Sequence, residues 1–271
     1  WPTPPFLYAP TPFVAWASAV GAVVLAALAL SELRGDNLAY SKFSRGGPAA
    51  GSKQQQQAAL LHNRAAMLLI YAPALAAGLA SFFAAAPPGA GARERERALA
   101  AALAAHFLKR VLEVLLVHRY SGTTPLATAL LISAYYLSSS VAMLYAQRLS
   151  AGLPDPAVDL RRPGALVFAA GLAGNFYHHW LLSRLRANGG GKAAYKIPTG
   201  GLFGLVACPH YLFEIIGFFG FAMLSQTLYA LTAAVGTAAY LAGRSYTTRK
   251  WYASKFDEFP ASIKALVPYV W

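Results

Sequence analysis

Seven stretches of the chain stay apolar for long enough, or nearly so, to cross a bilayer as helices of about 20 residues. They run near Val14–Leu30, Ala65–Ala86, Ala98–Val117, Leu126–Ala146, Gly164–Ser183, Leu202–Leu224 and Gln226–Gly243. The first, second and fourth contain no Asp, Glu, Lys or Arg, whereas the third and sixth carry charges that need explaining. Only Ser225 separates the last two, which predicts a tight helical hairpin. Seven spans place the termini on opposite sides. With the N-terminus outside, 17 of the 23 Lys and Arg residues fall on the C-terminal side and 6 on the other. Positive charge collects in the cytosol, so the N-terminus is expected in the lumen and the C-terminal tail in the cytosol.

Composition supports an all-α, polytopic membrane protein. Of 271 residues 57% are hydrophobic and only 12% charged, with mean hydropathy +0.43. That is about half the charge a soluble domain carries on its surface. The net charge of +13 is accounted for by the cytosolic loops and does not call for a nucleic acid partner. One cysteine, Cys208, excludes an internal disulfide or a Cys-based metal cluster. Gln54–Gln57 and Pro87–Ala92 read as loops, and Arg93, Arg95 and Arg97, alternating with Glu94 and Glu96, as a solvated helix start. The chain opens at Trp1, and its first span lacks the basic flank and small-residue site of a removable signal peptide. Residues 1–271 are expected to form one membrane-embedded domain, with two spans and their loops in 1–97 and the polar chemistry in 98–271.

Ionisable residues inside membrane spans are costly and mark functional sites by default. On the third span His106, Lys109, Arg110 and Glu113 form one helical stripe, with Lys109 and Glu113 spaced to neutralise each other. The bland alternative ends that span at Leu108 and leaves the charges in water, but it also leaves Val111, Leu112 and Val114–Val117 there. On the fifth span Asn175, His178, His179 and Arg186 lie near one face. Adjacent histidines point about 100° apart on a helix, so hydrogen bonding to a polar ligand is expected and no metal site. On the sixth, His210, Tyr211 and Glu214 follow Cys208–Pro209; a structural partner for Glu214 across the bundle stays open. Tyr195–Lys196–Ile197–Pro198 and the tail residues Arg244, Tyr246, Arg249, Lys250, Trp251 and Tyr252 set cations beside aromatic rings, which suits phosphates and a flat ring system. Neither a strand-linked G-x-G-x-x-G nor a P-loop occurs.

From about His106 to Trp271 the chain resembles the steroid 5α-reductase and trans-2-enoyl-CoA reductase superfamily. The resemblance rests on Lys109–Glu113 running into Val117–His118–Arg119–Tyr120–Ser121, then Gly174–Asn175–Phe176 and Tyr195–Lys196–Ile197–Pro198. It continues through Gly200–Gly201–Leu202–Phe203, Cys208–Pro209–His210–Tyr211, Glu214, and Lys255–Phe256 to Pro268. It implies a seven-helix membrane fold, NADPH as hydride donor and reduction of a double bond conjugated to a carbonyl. Position by position it implies NADPH contacts at Asn175, Arg186, Tyr195, Lys196, Glu214, Arg244 and Tyr252. His210 stands where many members have Asn. The Glu and Tyr with which steroid reductases grip the ketone are matched by Tyr71 and Phe107, so that pair is absent. The enoyl-CoA reductases match better, through Lys109 and Tyr211.

The expected reaction is therefore NADPH-dependent saturation of a trans-2-enoyl-CoA, with Tyr211 as proton donor, Lys109 tuning it, and Glu113, His106 and His210 in support. A 3-oxo-Δ4-steroid is the alternative substrate. An isoprenylcysteine-type methyltransferase and a non-catalytic transporter or scaffold are more remote. The expected setting is the endoplasmic reticulum membrane, with membrane lipid, a hydrophobic or acyl-CoA substrate and other fatty-acid elongation enzymes as partners.

Overall fold

A computed structural model describes residues 3–35, 59–84, 89–187 and 196–271. Seven long helices are present among them: α1 (Pro12–Arg34), α2 (Asn63–Ala80), α3 (Ala90–Leu112), α4 (Leu126–Leu149), α5 (Arg161–Ala187), α6 (Pro209–Ser225) and α7 (Leu228–Lys255). Two short strands, β1 (Leu60–His62) and β2 (Thr123–Pro125), pair antiparallel at one end of the bundle. By length and composition α1, α2 with its extension to Phe83, and α4 are apolar enough to cross a membrane. Among the other four, α3, α6 and α7 carry buried charges, as α1 does at Glu32.

Helix ends follow local chemistry. Thr11 caps α1 by accepting from the Val14 amide, Pro12 fits the first turn, and Gly35 ends the helix at φ 93°. Pro73, inside α2, has no N–H for the carbonyl of Leu69. The Ser133 hydroxyl of α4 donates to that carbonyl at 2.8 Å, so the defect in one helix becomes a bond to its neighbour. The third span does not end at Leu108. It continues to Leu112 and closes in a π-helical turn, Glu113–Val117, which leaves the carbonyls of Val114 and Leu115 to Arg64 at 3.3 and 2.7 Å.

Glycine sets the tightest helix contact. A Cβ at Gly220 of α6 would stand 2.6 Å from the backbone of Phe168 on α5, and one at Gly164 would stand 2.7 Å from Met223. Added methyls at Gly171 and Gly174 would run into Gly217 and Phe213. Small residues let the α5 and α6 backbones approach closely, as in membrane helix pairs generally. That approach fixes how the polar faces of the two helices meet.

Three sequence expectations change. The sixth span starts at Pro209 rather than Leu202, because Gly201–Gly204 forms a 3-10 turn and Val206 bridges to Lys264. The hairpin falls where expected, with Gln226 between α6 and α7, yet α7 continues to Lys255, well beyond Gly243. The third change concerns the Arg/Glu run, which is not simply solvated. Arg95 and Glu96 are buried. Arg95 donates to Gln226 Oε1 at 2.7 Å and to the Leu224 carbonyl at 3.3 Å, and lies 3.8 and 3.7 Å from Asp155 and Asp159. Glu96 accepts from Arg148 at 2.8 Å. Gln226 in turn donates to the carbonyls of Phe6 and Val158 at 2.7 and 2.8 Å, and these bonds hold its positive φ of 53°. Alternating residues on a helix point to different sides, and here one side faces the hairpin instead of water. Tyr8 closes the cluster through a 2.6 Å bond to Asp155, and burial with that bond raises its pKa to about 12.

The close α5–α6 packing generates a graded expectation. Gly171→Ala and Gly220→Ala should each lower thermal stability in detergent by about 1–3 kcal/mol, the usual cost of overpacking. Gly21→Ala, with nothing within 4 Å of the added methyl, should not. Equal melting temperatures for all three would show that the contact is not tight.

Candidate functional site

Glu113 is the buried centre of the charged stripe. Lys109 Nζ donates to its Oε1 at 3.0 Å and Arg110 Nη1 to its Oε2 at 2.9 Å. His179 Nδ1, reaching across from α5, lies 3.1 Å from both oxygens, and His118 Nε2 lies 3.9 Å away. Arg110 continues to the Tyr71 hydroxyl and covers that ring at 4.6 Å, tying α2 into the cluster. One carboxylate thus serves two cations and two imidazoles from three segments. The i, i+3 and i+4 spacing foreshadowed this for α3. The contribution of His179 and Tyr71 depends on packing that no local pattern encodes.

Asn175 carries the network to α6. Its Oδ1 accepts from Lys109, and its Nδ2 donates to the His210 carbonyl at 2.8 Å. His178 has a different role. Its Nδ1 donates to the Gly174 carbonyl at 2.7 Å, so Nε2 is free to accept from the Leu202 amide at 3.1 Å. This bond anchors the Gly200–Gly201 turn, where Gly201 has φ 53° and an added Cβ would lie 2.7 Å from His178 Nε2. The Gly-Gly pair is required by that approach. His106 faces away from Glu113's ligands into an aromatic nest, 4.9, 5.9 and 5.7 Å from Phe107, Phe218 and Phe221.

Glu113, His118 and His179 have metal-ligand chemistry, and their donor atoms lie within 4.8 Å of one another. Arg110 Nη1, however, stands 2.9 Å from Glu113 and 3.0 Å from His179 Nδ1. A guanidinium already neutralises this carboxylate, and a divalent cation would meet both it and Lys109.

A cavity of about 380 Å³ opens beside the cluster. Its lining combines the polar Arg110, His179, Tyr211, Glu214, Lys196 and Arg244 with the apolar Leu25, Met67, Ile70, Leu131 and Phe218. Of the residues expected at the site, His210, Tyr211, Glu214, Lys196, Arg244 and Tyr252 line this space. Lys109, Glu113, Asn175 and His106 are not among its lining, and the first three stand behind the wall as its frame. Tyr195 and the Arg186 side chain lie outside the described residues. Arg249, grouped with the phosphate-binding cations by sequence, instead donates to the carbonyls of Ile263 and Ala261 at 2.6 and 3.0 Å and holds the tail.

Sequence reasoning missed Glu32. It lies just past the apolar run of α1, where a single acid reads as the end of a span. In the fold it is buried against Arg244 of α7, with Nη1 to Oε1 at 2.7 Å. Its signal was a lone carboxylate inside the helical register of α1, three residues before the Gly35 cap.

The family model described as 3-oxo-5-alpha-steroid 4-dehydrogenase matches residues 125–271, more than half of the chain. The chain is 38% identical over 109 residues to a steroid 5-alpha-reductase of Gossypium hirsutum, covering 40% of this chain and 42% of that protein. It is 33% identical over 172 residues to a very-long-chain enoyl-CoA reductase of Dictyostelium discoideum, covering 61% and 55%. It is 34% identical over 107 residues to 3-oxo-5-alpha-steroid 4-dehydrogenase 2 of Homo sapiens, covering 40% and 41%. The matches therefore span between two fifths and just over half of the relatives' own length.

The Glu32–Arg244 pair can be tested by removing its halves. Arg244→Leu leaves a buried carboxylate and should cost about 3–5 kcal/mol of stability. The Glu32→Leu, Arg244→Leu double variant should recover most of the loss in a detergent melt. A double variant no more stable than the single one would show that the two charges do not neutralise each other.

Proposed function

The chain belongs to the 3-oxo-5-alpha-steroid 4-dehydrogenase family, and from that premise we propose that it is a membrane reductase. It saturates a carbon–carbon double bond conjugated to a carbonyl in a lipid substrate, with NADPH as the reductant. The observation that carries this reading is a cavity whose lining brings Tyr211, Glu214, Lys196 and Arg244 together with many apolar side chains. A lipid tail suits the apolar lining, and a polar, phosphate-bearing cofactor suits the cationic and aromatic side chains.

The donor set suits NADPH. Lys196 and Arg244 would meet its phosphates, with Arg186 and Tyr195 completing the family-like set and Asn175 supporting it from behind the wall, and Tyr252 and Glu214 would bound its rings. When bound it supplies the hydride for the β-carbon of the substrate. The Tyr211 hydroxyl stabilises the enolate that results and delivers the proton to its α-carbon. Lys109 acts as a positioning residue rather than through direct contact with substrate. Glu113 fixes its ammonium, and the ammonium holds Asn175, whose amide fixes the His210 carbonyl next to Tyr211.

The preferred substrate is a trans-2-enoyl-CoA of fatty-acid elongation. Lys109 and Tyr211 support it as the residues shared with that branch, and so does the Dictyostelium discoideum relative. The second reading, a 3-oxo-Δ4-steroid, is favoured by the steroid reductase relatives. Against it, Phe107 is buried among Tyr136 and His106 and cannot grip a ketone. The proposed setting is the endoplasmic reticulum membrane, with seven spans, a lumenal N-terminus and a cytosolic tail. The charge count supports this orientation, since 17 of the 23 Lys and Arg residues fall on the tail's side of seven spans.

Purified chain in detergent, given NADPH with a panel of enoyl-CoAs and 3-oxo-Δ4-steroids, should oxidise NADPH fastest with an enoyl-CoA. Tyr211→Phe should then lower kcat by about 10²–10⁴-fold with little change in KM. Full turnover by a well-folded Tyr211→Phe protein would remove the hydroxyl from the proton-donor role. A steroid preference would select the second reading.

A further inference from the structure

Outside the cavity, the π-helical turn, the start of α2 and the C-terminal half of α5 enclose a second, shallower groove. It is lined by Arg64, Arg119 and Arg184 with His118, Trp180 and Ser183. All three arginines are exposed. Among the described residues no carboxylate is paired with Arg64 or Arg184. Arg64 is held from below by the carbonyls of Val114 and Leu115 at 3.3 and 2.7 Å, and Arg184 lies over the Trp180 ring at 4.9 Å. These anchors fix where the guanidiniums stand without neutralising them. Cations that line one groove can each offer an anion a charge-assisted contact.

The surroundings narrow the anion. Leu116, 78% exposed, and the exposed Trp180 line the groove, and exposed Tyr177 stacks on Trp180. An apolar belt that ends in tryptophan and arginine is the pattern of the membrane–water boundary. On its inner side the groove shares His118, Arg119 and Ser183 with the cavity, so a ligand seated here stands at the cavity's mouth. Planar guanidiniums bind phosphate and carboxylate oxygens alike in pairs of parallel bonds, and a phosphate, with more charge and more acceptor oxygens, can engage several arginines at once, whereas a cation such as choline is repelled.

We propose that this groove is a phosphate-binding site, distinct from the cofactor's, for a phosphate carried on an amphipathic ligand. Two sources share that chemistry: the phosphates of coenzyme A, with an acyl chain passing into the cavity, or the headgroup of an anionic phospholipid at the membrane boundary. The charge of the groove does not depend on which reaction the cavity serves.

The test titrates the full chain, in an uncharged detergent with saturating NADPH, against coenzyme A and separately against a short-chain phosphatidic acid, read by native mass spectrometry. Saturating cofactor makes binding at its own site invisible, so failure of the reductase reading and failure of this site are separable. At least one probe should bind saturably, and Arg184→Gln should weaken it by about tenfold, the loss of one charge-assisted contact. Arg184→Gln leaves the backbone bonds of Arg64 intact, and Arg184→Lys should recover part of the affinity. Preferential binding of coenzyme A identifies the carrier as the source, and preferential binding of phosphatidic acid identifies the membrane. Binding of neither probe, or binding unchanged in a folded Arg184→Gln protein, overturns the proposal.

Discussion

The carboxylate of Glu113, buried among cations, is the constraint from which the rest of the interior follows. A lone carboxylate in a membrane-embedded bundle is costly, and so are the ammonium of Lys109 and the guanidinium of Arg110. Placed one helical turn apart they neutralise each other, and His179 adds a donor from the facing helix. The arrangement requires α3 and α5 to sit in one register. It leaves Arg110 a second face toward Tyr71 and the cavity, and Lys109 a second face toward Asn175. Polar groups at the cavity wall are therefore consequences of how one acid is paired.

The same logic repeats at two other places. Glu32 and Arg244 neutralise each other between α1 and α7 and set the opposite flank of the cavity. Arg95, with Gln226, Asp155 and Asp159, closes the far end of the bundle, where the N-terminal segment and the α6–α7 hairpin meet. Between these polar clusters the helices pack through apolar side chains and, at α5–α6, through glycine. The close glycine contact brings Asn175 within 2.8 Å of the His210 carbonyl, so backbone geometry, charge pairing and the placement of Tyr211 are one problem.

Much of this was legible in the sequence. Long apolar runs located seven helices, since a continuous hydrophobic stretch has few other uses at this composition. The spacing of Lys109 and Glu113 gave their pairing and put Arg110 on the same stripe, because i, i+3 and i+4 neighbours share a helix face whatever the tertiary fold. The break at Ser225 gave the hairpin. Other features depend on partners distant in the chain. His106 belongs to the same stripe yet turns into a nest of phenylalanines. Arg95 and Glu96 look solvated until the hairpin and the 150–160 segment cover them. The start of α6 moved because Val206 and Ala207 bond to the tail near Lys264, a pairing no local pattern contains. Asn175 and Arg244, expected at the cofactor site, also bond Lys109, the His210 carbonyl and Glu32, and those partners lie far off in the chain.

The most direct test of this account is the thermal stability of Glu113→Gln in detergent, measured with and without NADPH. Gln keeps the shape and removes the charge, which leaves Lys109 and Arg110 buried beside each other. The account predicts a loss of about 3–5 kcal/mol, together with weaker stabilisation by NADPH than in the unaltered chain. A Glu113→Gln protein with an unchanged melting temperature and an unchanged response to NADPH would contradict it.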